Sequence, residues 1–293
     1  MNMSISRRVR FGVVLAAVPL VIFSSVAQAT AAVTRVLTMP APNVPESIAI
    51  DHQGAIYMGI PFTGKVVKVT AGGTQTTIAS FPGLNPLGVR LDSEGNVFVA
   101  VPTSGVWEIP AGGGAKKQLA AGPGLWNGLA SSLLLGTTSP GPCGLVHPAV
   151  PSFGILGANG IAFNKHGDML VANTDLGTIV RVAMNADGSA GAATIFAGPS
   201  CDLWGADGVA MDNRDNLYVA ANSKGQIDRV DPNGNLEVFA AGSPLNFPSD
   251  LAFGTGRGER TVMFISNFAA FPTSTGAPGV LKTDAGIPGR PIG

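Results

Sequence analysis

The chain has 293 residues and no formal net charge, with 40 glycines and 22 prolines, 45% hydrophobic residues and only 12% charged ones. So many backbone punctuators exclude a helical bundle or coiled coil, the apolar content excludes disorder, and glycine lacks the three-residue period of collagen. No basic block occurs beyond the N-terminus, so nucleic acid is not an expected partner, and an all-β chain of many short strands and turns remains.

At the N-terminus, Arg7, Arg8 and Arg10 precede an apolar run of 13 residues, Phe11 to Phe23, and the small-x-small triplet Ala27-Gln28-Ala29. This reads as a secretory signal peptide over residues 1–29, too short to span a bilayer comfortably. An uncleaved anchor is the alternative, and Sec and twin-arginine export both stay open. Cleavage leaves one domain, residues 30–293, with 15 basic and 18 acidic residues. It is expected to be secreted or periplasmic, without stable membrane insertion. In an oxidising compartment Cys143 and Cys201 can pair or remain two thiols. With no CxxC neighbour, neither supports metal binding or catalysis.

The next elements repeat. Pro45 to Asp51 (PESIAID), Pro86 to Asp92 (PLGVRLD), Ala158 to Asn164 (ANGIAFN), Ala206 to Asp212 (ADGVAMD) and Pro248 to Phe253 (PSDLAF) each open a unit. In the first four a turn follows and then a short apolar strand; the fifth opens a longer version of the same unit. A further turn leads to an alternating strand such as Thr178 to Val182 or Gln226 to Val230, and an outer strand such as Leu236 to Ala240 follows. Asp, Asn and Gly in these turns are hairpin chemistry. A sixth unit, third in chain order, starts at Trp126-Asn127-Gly128-Leu129-Ala130 and is eroded through Pro151; a long loop is the alternative there.

Aligning Glu46, Leu87, Asn127, Asn159, Asp207 and Ser249 gives spacings of 41, 40, 32, 48 and 42. Six such units predict a six-bladed β-propeller of four-stranded antiparallel blades, the third degenerate. Val33 to Thr38 is expected to supply the outer strand of the last blade and Val280 to Lys282 its third strand. A β-sandwich does not explain the recurrence.

Equivalent positions of a propeller lie on a ring, so those six residues are expected at the mouth of the central channel. Two carboxylates and two amides then converge, an oxygen-rich set that suits a hard divalent cation, Ca²⁺ above all. Without His or Cys, zinc is disfavoured. Read singly, Asn or Asp before Gly is equally turn chemistry.

PESIAID, ANGIAFN, ADGVAMD and FPSDLAFGTGRGER (Phe247 to Arg260) resemble the senescence-marker-protein/gluconolactonase/luciferin-regenerating-enzyme-like family, in which regucalcin is best known. The resemblance implies a six-bladed propeller with a divalent metal in the channel and, in some members, lactone hydrolysis. It implies Glu46, Asn159 and Asp207 as metal ligands, Asn127 as a substrate contact and Asp207 as proton acceptor. Trp126 and Trp204 flank the ring and are candidates to stack on a sugar-like ring, and Asn173 falls in a mouth loop. No G-x-S-x-G elbow occurs, and His52 and His166 fall in turns on the opposite face. The expected function is metal-dependent hydrolysis of a lactone or related small ester. A non-catalytic propeller that binds a ligand or protein is the alternative.

Overall fold

One turn recurs. Asp51 Oδ1 accepts N–H bonds from Gln53 and Ala55 at 2.9 and 2.8 Å, and Asp92, Asn164 and Asp212 do the same for the residues two and four positions on. This closes the first hairpin of each of these units locally. The left-handed position in it is Gly54, Gly95 or Gly167, and Asp215 (φ 66°) in the remaining unit. Asp215 occupies that conformation with its carboxylate bound to the Lys165 N–H at 2.9 Å and paired with the Lys165 and Arg290 side chains.

The computed structural model describes residues 30–101, 104–121, 135, 137, 139, 141–144, 156–187, 189–270 and 276–290. Blade 1 holds β2 (Ser47–Ile50), β3 (Ile56–Ile60), β4 (Lys65–Val69) and β5 (Gln75–Ser80). Blade 2 holds β6 (Val89–Leu91), β7 (Val97–Val101), β8 (Gly105–Ile109) and β9 (Lys117–Ala121). With blades numbered by the sequence unit that supplies their inner strand, blade 4 holds β10 (Ala158–Phe163), β11 (Met169–Asn173), β12 (Thr178–Met184) and β13 (Ala190–Ala197). Blade 5 holds β14 (Ala206–Met211), β15 (Leu217–Ala221), β16 (Gln226–Val230) and β17 (Leu236–Ala241). Blade 6 joins β18 (Pro248–Phe253), β19 (Val262–Asn267) and β20 (Gly279–Asp284) to β1 (Thr34–Thr38), so the N-terminal strand closes the last blade as expected.

The fold is a β-propeller of small antiparallel blades, each four-stranded, and five are present among the described residues. The sixth unit, Trp126 to Pro151, lies almost wholly outside them, as do the signal-peptide segment, Trp126 and Asn127. Inner strands neighbour one another in the order β10, β14, β18, β2, β6. Between blades the facing sheets bury aliphatic layers. Leu170, Ile179, Val209, Leu217 and Val219 fill the space between blades 4 and 5, and Ile48, Met58, Val67, Phe264 and Val280 that between blades 6 and 1. Burial of both sheet faces explains the low charge content. Among the described residues no helix is long and apolar enough to cross a membrane.

One residue breaks this pattern. Asp228 sits opposite Val219 on β15, where the corresponding third-strand positions are Val67, Trp107, Val180 and Leu281. It is fully buried, Gln226 Nε2 donates to its Oδ1 at 2.8 Å, and its Oδ2 has no hydrogen-bond partner among the described residues. Burial, with a smaller contribution from Asp202, pushes its pKa up to about 8.

Cys143 and Cys201 are disulfide-bonded, with Cα atoms 4.8 Å apart, which resolves the open alternative. The bond ties the 141–144 segment to the loop entering blade 5.

Two measurements follow from this packing. Because the folded state holds the Asp228 proton more tightly than the unfolded chain, its share of stability is complete below about pH 4 and is lost as pH rises towards 8. Asp228→Asn is therefore expected to gain on the order of 2 kcal/mol at neutral pH. In urea titrations the wild-type-minus-variant difference should shrink as pH falls towards 4; a difference independent of pH refutes the assignment. Replacing both cysteines by serine opens a 58-residue loop and is expected to cost about 4 kcal/mol in the same titration.

Candidate metal and substrate site at the channel mouth

The residues at or just before the head of each inner strand occupy two equivalent repeat positions: Glu46, Leu87, Asn159, Asp207 and Ser249 hold the first, and Ser47, Gly88, Gly160, Gly208 and Asp250 the next along the chain. Gly160 and Gly208 do not serve left-handed turns. A Cβ on Gly160 would stand 2.9 Å from Gly208 Cα, and one on Gly208 2.6 Å from Ser249 O. The Asn-Gly and Asp-Gly pairs thus let neighbouring inner strands approach closely and bring the polar residues together. Hydroxyls lace the same level: Ser47 donates to Leu87 O, Ser249 to Glu46 O at 2.5 Å and Thr174 to Ala206 O at 2.8 Å.

Three of the expected ring residues meet electrostatically. Asp207 is 7% exposed and accepts from Asn222 Nδ2 at 3.1 Å, while Ser223 Oγ holds the Asn222 Oδ1 at 2.9 Å. Burial, then the Asp250 charge, pushes Asp207 up to about 8 against the lowering effect of Asn222 and Asn159. Asn159 Nδ2 also donates to Thr174 Oγ1 at 3.2 Å, so its amide nitrogen is committed within the protein, while no donor among the described residues reaches its Oδ1. No hydrogen-bond donor among the described residues reaches the Glu46 carboxylate. Burial first, then the charges of Asp207 and Asp250, raise it well above the usual carboxylate range, and Arg90 opposes this.

Repeat alignment should have exposed Arg90 and Asp250, which reading each motif singly missed. Arg90 opposes Phe98 at the position held by Ala49, Ala162, Ala210 and Ala252 in the other blades. Asp250 stands where the others have Ser47, Gly88, Gly160 and Gly208. These two exceptions, 160 residues apart, meet across the channel: Arg90 Nη1 donates to Asp250 Oδ2 at 2.9 Å and Nη2 to Oδ1 at 3.4 Å. The Asp250 carboxylate also accepts the Ile48 N–H at 3.1 Å and its neighbour Leu251 N–H at 2.9 Å. The inner strands of blades 1, 2 and 6 are thereby pinned to one carboxylate.

The expected substrate contacts fare differently. Asn173 is fully buried; it donates to Leu135 O at 3.0 Å and accepts from Leu176 N–H at 3.1 Å, so both ends of its amide hold backbone. Trp204 is 8% exposed, and a Cβ on Gly141 would touch its indole at 3.1 Å. Little of that ring is open for stacking. Trp126 and Asn127 lie outside the described residues. His52 and His166 are exposed in turns at the opposite end.

Gly208→Ala tests whether close approach builds this site. The forced separation of β14 and β18 is expected to cost about 1–3 kcal/mol in urea titration; an unchanged midpoint contradicts the packing described.

Residues 148–267 match the family model described as the SMP-30/Gluconolactonase/LRE-like region, and residues 32–69 match one described as strictosidine synthase-like, N-terminal. No curated protein matches the chain. Among solved structures, a calcium-binding protein, regucalcin, from Agrobacterium tumefaciens is 16% identical, with a TM-score of 0.64 over 89% of this chain and 96% of that one. A luciferin-regenerating enzyme is 14% identical, with a TM-score of 0.63 over 89% and 97% of the two chains. The PQQ-bound aldose sugar dehydrogenase of Streptomyces coelicolor is 14% identical, with a TM-score of 0.58 over 87% and 98%. At these identities the structures speak for the fold alone. The resemblance to the senescence-marker-protein/gluconolactonase/luciferin-regenerating-enzyme-like family is borne out, by sequence over residues 148–267 and by a shared propeller fold over most of the chain.

Proposed function

We propose that the protein is an exported hydrolase of a lactone or related small ester that works with a divalent cation, Ca²⁺ by preference, at the channel mouth. The observation that carries this reading is the electrostatic coupling of two desolvated carboxyl groups, Glu46 and Asp207, beside Asn159, whose amide oxygen meets no donor among the described residues. Two carboxyl groups that feel each other's charge, with no hydrogen-bond donor to Glu46 among the described residues, suit a cation site better than a sealed core. The family description over residues 148–267 supports the choice of ester substrate. Fold alone does not, since a dehydrogenase shares it.

Glu46, Asn159 and Asp207 are the residues that would hold the cation. A bound divalent ion supplies Lewis-acid polarisation of a carbonyl and charge stabilisation. Asp207, oriented by Asn222, takes the proton from the attacking water. The water oxygen bonds to the carbonyl carbon, the ring C–O bond breaks, and the leaving alkoxide takes up the proton from Asp207. One lactone and one water give one hydroxy acid, with no serine nucleophile.

Calcium is expected to raise the melting temperature, a chelator to reverse it, and a lactone panel to be turned over only with metal present. Asn159→Ala and Asp207→Asn should each weaken calcium binding at least tenfold. Calcium binding without turnover of any lactone favours the alternative, a ligand- or protein-binding propeller. Unchanged calcium affinity in both variants overturns the ring assignment.

A further inference from the structure

We infer that Arg90 is an anion-recognising group beneath the ring, and that the molecule bound at the mouth carries a carboxylate beside its lactone or ester group. This deepens the reading above and rests on the channel mouth being the binding site.

Arg90 is the one repeat position among the described blades where alanine is replaced, and the replacement is a guanidinium that reaches the layer just below Glu46 and Asp207. Its position is fixed twice, by Asp250 and by the Val89 carbonyl, to which Nη1 donates at 2.8 Å. Its side chain nevertheless keeps 43% of its surface accessible, against 6% for Asp250. Nη1 is fully used and Nη2 gives one bond. The Nε proton and the second Nη2 proton have no acceptor among the described residues. An arginine held on one edge by a buried carboxylate and open on another is preorganised for a second planar oxyanion.

Charge balance points the same way. Arg90 and Asp250 cancel, and Glu46 with Asp207 match one divalent cation. A substrate carboxylate therefore meets no net negative field at the loaded mouth, and it finds the guanidinium's free edge. A neutral polyol lactone leaves that edge without an anion.

Non-hydrolysable probes separate this from catalysis. Pyroglutamate is the lactam counterpart of a carboxylate-bearing γ-lactone, and pyroglutamide is its neutral twin. By calorimetry in calcium buffer, pyroglutamate is expected to bind the wild-type protein at least tenfold more tightly. Arg90→Gln should abolish that preference. Because it also strands Asp250, the double variant Arg90→Gln/Asp250→Asn, which leaves a neutral pair, is measured alongside and should likewise bind the two probes equally. A purely structural role for Arg90 would weaken both probes alike and leave their ratio intact. Equal binding by the wild type, no detectable binding of either probe, or a preference that survives in the double variant overturns the inference. If the preference is found but the corresponding lactone is not hydrolysed, Arg90 keeps its role and the hydrolase reading falls instead.

Discussion

The structure turns on the repulsion between carboxylates brought together at the heads of the inner strands. Glu46 on blade 1, Asp207 on blade 5 and Asp250 on blade 6 come from distant parts of the chain, and each inner strand delivers its acid to nearly the same height. The protein answers one of these charges itself, with Arg90. The other two are left to share a volume in which burial alone already favours their neutral forms. A site that keeps two such groups without a salt-bridge partner among the described residues is less stable than an apolar plug would be, and that cost is the physical reason to read it as a binding site.

That concentration of charge depends on how closely inner strands can approach. Gly160 and Gly208 allow it, since any side chain there would strike the backbone of the next blade. Hydroxyl-to-carbonyl bonds from Ser47, Thr174 and Ser249 then hold the blades at that spacing. The aliphatic layers between blades supply the bulk of the burial, so the polar ring is a small feature carried by a large apolar frame. Asp228 shows the opposite case: an acid inside one of those layers, with an amide neighbour and no salt bridge among the described residues.

Much of this was legible in the sequence because it is local and repeated. The Asx turns, the alternating third strands and the closing strand at Thr34–Thr38 announce themselves through spacing. Alignment of the units put Glu46, Asn159 and Asp207 among the equivalent ring positions, and the family resemblance implied them as ligands. Arg90 and Asp250 were visible in the same alignment as exceptions to Ala and to Ser or Gly, but each looks ordinary by itself. The burial of Trp204 and Asn173 was not legible, because it depends on Leu135 and Gly141 lying against blades 4 and 5, contacts made across long sequence separation. The cysteine pairing belongs to the same class: Cys143 and Cys201 are 58 residues apart and only the fold brings them to one place. Where turn signals fade, between Trp126 and Pro151, the periodic argument loses its warrant as well.

The most direct test of the account is anomalous diffraction from a crystal soaked in a calcium or lanthanide salt. One peak is expected at the channel mouth, within coordination distance of carboxylate oxygens of Glu46 and Asp207 and the amide oxygen of Asn159, with the Arg90–Asp250 pair intact beneath it. A mouth without a peak at saturating metal, or a peak bound by Asp250 with Arg90 displaced, would contradict it.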